Sequence, residues 1–87
     1  MELIIKTKFN IGDAVYAVNY YSDYFYAPRK PYIITDIRIR IDNKGIHTIY
    51  ECEQDGVTDT FPEIWVFNSR SECCQWCEAH NEVHNDY

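Results

Sequence analysis

Between Tyr32 and Glu53 the chain carries the pattern that most narrows its fold. Polar and apolar residues alternate from Tyr32 to Ile41, with Thr35, Ile37, Ile39 and Ile41 on one side and Asp36, Arg38 and Arg40 on the other. A half-buried strand has this period, and its basic side faces water. Asp42-Asn43-Lys44-Gly45 follows as a hairpin turn with Gly45 placed for positive φ, and Ile46 to Glu53 reads as the partner strand. Across that hairpin Arg38 and Arg40 are placed to pair with Glu51 and Glu53.

Three shorter strands read around it. Phe9-Asn-Ile-Gly-Asp-Ala-Val-Tyr-Ala-Val18 sets a Gly-Asp turn before a strand with Val15 and Ala17 on one face and Tyr16 and Val18 on the other. Gln54-Asp55-Gly56 turns the chain into Val57 to Phe61, which Pro62 ends, and Trp65-Val66-Phe67 is apolar enough for a final strand. Ser69-Arg70-Ser71-Glu72 fits a capping box and predicts a helix over about 70–81, with a polar tail at 82–87. Asn19 to Pro31, interrupted by prolines and polar residues, reads as a long aromatic loop.

At 87 residues, this is expected to be one domain spanning 1–87. The apolar run Leu3-Ile4-Ile5 is far short of the roughly 20 residues that cross a bilayer, so a cytoplasmic location without membrane association is expected. Of the four cysteines, Cys73, Cys74 and Cys77 crowd one helical segment, which suits free thiols better than a disulfide framework. Residues 1–44 hold seven Lys/Arg and five Asp/Glu, whereas 45–87 hold one and nine. That acidic half repels phosphate backbones and argues against direct nucleic-acid binding.

The opening Phe9-Asn-Ile-Gly-Asp-Ala-Val-Tyr, the long strand after it and Phe61-Pro-Glu-Ile-Trp-Val-Phe67 before a capped helix resemble small SH3-like or KOW-like proteins of bacteria and their phages. The resemblance implies a mainly β fold: a small five-stranded SH3-like barrel over about 9–67, closed by a short C-terminal α-helix. Members of that group act mainly as binding or accessory modules, but a shared fold transfers no site.

Little in the sequence points to catalysis. Gly12, Gly45 and Gly56 are each explained by a turn, and no spacing singles out a catalytic pair among the carboxylates and histidines. Cys74-Gln75-Trp76-Cys77 has C-x-x-C spacing, yet Cys74 lies about five residues past the helix cap instead of at the N-terminus where the dipole would favour a thiolate. Cys73, Cys77, His80 and His84 share one helical stripe. Eleven residues of helix spread them over about 16 Å, whereas ligands of one zinc ion lie within about 2.3 Å of it. A metal site would need Cys52 or His47 as well, so the expectation is no metal and no cofactor, with Cys73, Trp76, Cys77 and His80 docking the helix.

The aromatic loop is the most informative segment. Tyr20, Tyr21, Tyr24, Phe25 and Tyr26 cannot all turn into so small a core, and exposed tyrosine favours binding. The expected function is therefore a non-enzymatic protein-binding module that uses these five residues, with Arg29, Lys30 and Trp65 at the rim. An alternative is a phage-borne acidic inhibitor in which Glu51, Glu53, Asp55, Asp59 and Glu63 mimic nucleic-acid charge on a host or defence enzyme. A zinc-stabilised domain is the second alternative, and an exposed strand edge also admits a homodimer.

Overall fold

The computed structural model describes residues 6–81. Strands β1 (Ala14–Ala17), β2 (Asn19–Tyr21), β3 (Tyr24–Tyr26), β4 (Tyr32–Asp42), β5 (Gly45–Gln54), β6 (Val57–Pro62) and β7 (Val66–Phe67) precede one helix, α1 (Arg70–Asn81). Five strands form an antiparallel sheet in the order β6-β5-β4-β1-β7, and β2 and β3 form a separate two-stranded sheet. The fold is mainly β with a short C-terminal helix. His84 and the 82–87 tail, like the Leu3-Ile4-Ile5 run, lie outside the described residues.

The β4–β5 hairpin is the longest pairing, running from Ile33↔Glu53 to Asp42↔Gly45. Its turn is closed by Lys44 N–H donating to Asp42 Oδ1 at 2.8 Å, and Gly45 takes a φ of 128°. The simple alternation read for β4 is interrupted at Thr35, where the register shifts between Ile34 and Asp36. One extra residue there reverses the phase of the pleat. Ile34 opposes Cys52 and Ile37 opposes Tyr50, so both isoleucines share the core face, while Thr35 is exposed and its Oγ1 donates to Glu51 O at 3.1 Å. The expected inward placement of Thr35 is thereby corrected. The register set by the turn limits the expected ion pairs: Arg38 reaches Glu51 at 3.6 Å, whereas Arg40, opposite His47, pairs with Asp42 at 3.4 Å and Glu53 sits opposite Ile33. Exposed pairs of this kind contribute only about 0.2–1 kcal/mol each.

Two clusters make up the core. The first gathers Phe9, Val15, Ala17, Tyr32, Ile34, Tyr50, Cys52, Phe61 and Val66; the second, under α1, gathers Val18, Cys73 and Cys77 with Tyr16, Phe25 and Trp76 against them. The alternation in the segment from Val15 to Val18 supplies both, since Val15 and Ala17 face the first cluster and Tyr16 and Val18 face the second. Trp65, read as the start of a strand, belongs instead to a 3-10 turn, Glu63–Trp65, and packs against both clusters. The turn follows from Pro62, whose ring cannot supply the next ladder amide.

Tyr50 ties these parts together. It is fully buried, its ring meets Phe9 edge-on at 5.8 Å, and its hydroxyl accepts Phe9 N–H at 3.1 Å while donating to the Glu63 carboxylate. Burial, reinforced by the bond to Glu63, pushes its phenol up to about 12. The Tyr50→Phe variant keeps the ring and strands one buried amide, so it is expected to lose about 1–3 kcal/mol of stability. A urea unfolding midpoint unchanged from the wild type would contradict this account of the hydroxyl.

Candidate functional site

The segment from Asn19 to Tyr26, expected as an irregular loop, is a regular hairpin. β2 and β3 pair as Asn19↔Tyr26, Tyr20↔Phe25 and Tyr21↔Tyr24. The turn between them places Ser22 at φ 50° and Asp23 at φ 63°, the left-handed pair that matches strand twist in two-residue hairpins. Tyr20 Oη donates to Asp23 Oδ1 across it. Aromatic residues favour strands once a turn brings them together, and Ser-Asp is a weaker turn signal than Asn-Gly.

Pairing sorts the five aromatics onto two faces. Tyr20 and Phe25 share one face, with ring centroids 5.1 Å apart; Tyr21, Tyr24 and Tyr26 share the other with Asn19. Phe25 turns inward, edge-on to Trp65 at 5.7 Å and to Trp76 at 5.2 Å. It is therefore the anchor of the hairpin and is half-buried. Tyr20, Tyr21, Tyr24 and Tyr26 remain 54%, 75%, 59% and 43% exposed.

α1 holds this hairpin in place. Ser69 Oγ accepts Glu72 N–H at 3.2 Å, as the capping box requires, although the Glu72 carboxylate meets the Ser69 hydroxyl instead of its amide. Cys73 and Cys77, one turn apart, bury against Val18, and the ring of His80 stacks on Trp76 with centroids 3.6 Å apart. Asn81 then grips the backbone of Phe25 twice, accepting its N–H at 3.0 Å and donating to its C=O at 2.7 Å. Arg70 Nε donates to Pro28 O at 3.0 Å at the other end. A polar residue at a helix end reads as a cap, so neither grip was visible in the sequence. Between hairpin and helix lies a shallow cleft of about 200 Å³ whose lining includes Tyr24, Tyr26, Arg70, Cys74 and Glu78.

The remaining candidates scatter. Arg29 and Lys30 are exposed beside this region, Lys30 reaching Asp55 at 3.5 Å, while Trp65 is half-buried between the clusters instead of at a rim. Among the acidic residues, Glu51 is paired with Arg38, and Glu63 is half-buried, accepting Lys8 N–H and the Tyr50 hydroxyl. Glu51 and Glu53 lie on the opposite sheet face from Asp59, which pairs across from Cys52. No single acidic face is assembled from the five. Cys52 sits in the first cluster and Cys73 and Cys77 in the second, while His47 lies near the hairpin tip, 3.1 Å from Asp42. Among the described residues no three His, Cys, Asp or Glu side chains come together to hold a metal ion.

Burial also governs the thiols. It pushes Cys73 from its ordinary 9.0 up to about 12 and Cys52 up to about 11, and it raises Cys77 as well. These are thiols at neutral pH and poor nucleophiles. The unfolded chain releases their protons first as pH rises, so the stability they contribute is complete below about pH 9 and is lost progressively towards about pH 12. Melting temperature is expected to stay level from pH 7 to about 8.5 and then fall; a level profile through pH 11 would contradict the buried placement of these groups.

Compared with family models, curated proteins and solved structures, the chain matches none.

Proposed function

We propose that this chain is a non-enzymatic protein-binding module that presents the tyrosine face of the β2–β3 hairpin to a partner. One observation carries the reading: Tyr21, Tyr24 and Tyr26 stand exposed on one face of a hairpin whose opposite face is anchored through Phe25. Tyrosine offers a large contact area at low cost in conformational entropy, and anchoring the hairpin lowers that cost further. The adjoining cleft, with Arg70 and Glu78 at its lining, adds polar groups to an aromatic surface, as protein interfaces commonly do.

The same reading takes the fold as an SH3-like barrel. Support comes from the strand order β6-β5-β4-β1-β7, in which the last strand returns to the first, and from the 3-10 turn just before that last strand. Charge mimicry by the acidic residues has less support, because their carboxylates divide between two sheet faces and Glu51 and Asp55 are already ion-paired.

The test is capture of partners from lysate at low and high salt, by the wild type and by a Tyr21→Ala, Tyr24→Ala, Tyr26→Ala variant that circular dichroism shows to be folded. Aromatic burial predicts a partner retained by the wild type at both salts and lost by the variant. A partner released by salt and kept by the variant would sink the aromatic reading and favour the acidic surface.

A further inference from the structure

Strand β3 and one stripe of α1 form the two walls of the cleft beside the tyrosine face. Tyr24 and Tyr26 line it from β3, and Arg70, Cys74, Cys77 and Glu78 line it from α1. Those helix positions fall at i, i+4, i+7 and i+8, which share one face, so the cleft follows the helix axis. Arg70 and Glu78 are separated by about 12 Å along that axis. A cation thus stands towards one end of the cleft and a carboxylate towards the other. Asn81 holds Phe25 and Arg70 holds Pro28, so β3 runs against the helix, with Tyr24 towards the Glu78 end and Tyr26 between the two charges.

Neither charge is where the helix itself would favour it. α1 runs from Arg70 to Asn81, which puts a cation at its positive end and Glu78 in its last turn, at the negative end. Arg70 is accounted for within the fold, because its Nε donates to Pro28 O at 3.0 Å and so fixes the guanidinium beside the cleft. A carboxylate arriving from outside would meet its terminal nitrogens. Glu78 is exposed, and its charge weakens the helix end that it occupies. Across the cleft Tyr24 and Tyr26 are 59% and 43% exposed, and tyrosine rings attract cations. The chain's net charge of −6 adds a field that draws a basic group to the same place.

We propose that the cleft takes an extended segment of a partner protein carrying a basic residue and an acidic residue about four positions apart. Resting on the protein-binding reading above, this names the occupant by its charges: the basic side chain lies against Tyr24 and Tyr26 and pairs with Glu78, and the acidic one pairs with Arg70. An extended chain advances about 3.3 Å per residue, so about four residues match the separation of the two charges along α1.

Selection from a displayed library of random dodecapeptides by the full chain tests this. The wild type should enrich peptides with Lys or Arg about four positions from Asp or Glu, and Glu78→Lys should replace the basic residue by an acidic one. A synthetic peptide of the enriched sequence should bind Glu78→Gln at least tenfold more weakly, although that variant melts no lower than the wild type. Peptides enriched without the charge pair, yet lost by the Tyr21→Ala, Tyr24→Ala, Tyr26→Ala variant, would overturn this inference and leave the aromatic reading standing. Enrichment of nothing would overturn both. Enrichment of a stretch of this chain's own sequence would identify a second copy as the occupant and overturn the inference as well. The wild-type selection decides the matter even if a variant fails to fold.

Discussion

Val15 and Ala17 pack against one core cluster and Tyr16 and the following Val18 against the other, so a strand of four residues is covered on both faces. β1 lies between β4 and β7 in the sheet, and Val18 N–H donates to Trp65 O at 2.9 Å just beyond it. Either cluster alone is small for a chain of this size. Joined through β1 and Trp65 they form one continuous apolar interior, which is how a chain with so little core to spare holds a sheet, a second hairpin and a helix together.

The second hairpin gains its character from that arrangement. It starts directly after Val18, beneath α1, so Phe25 meets Trp65 from the sheet and Trp76 from the helix. With Asn81 and Arg70 bonding its backbone and the chain after it, the hairpin is clamped on one side only. The tyrosines on its free side have nowhere to fold away, because strand geometry sends them opposite to Phe25. An anchored aromatic and exposed aromatics on neighbouring positions are one device: burial of the first orders the others for contact.

Much of the frame was legible from residue pattern. The Asp42–Gly45 turn, the strands beside it, the Ser69 cap and the two-faced character of Val15 to Val18 depend on local chemistry and on period, and both can be read along the chain. The β2–β3 hairpin was hidden by its turn, since Ser22 and Asp23 adopt left-handed φ without a glycine, and tertiary contacts through Phe25 favour that conformation. The Thr35 bulge was hidden for another reason: alternation locates a strand but cannot count an extra residue that only a partner strand reveals.

Exposure marks the division most clearly. Sequence alone determined that the chain is mainly β with a capped C-terminal helix, and that it holds more aromatic residues between Tyr20 and Tyr26 than its core can take, because both follow from local propensity, period and size. Which of those aromatics face solvent was decided only when α1 closed over Phe25. In the same way Ile39 and Ile41, patterned as core, stand 38% and 54% exposed. They lie where the β4–β5 hairpin outruns the strands beside it, and how far one strand extends past its neighbours is a property of the assembled sheet and not of any segment within it.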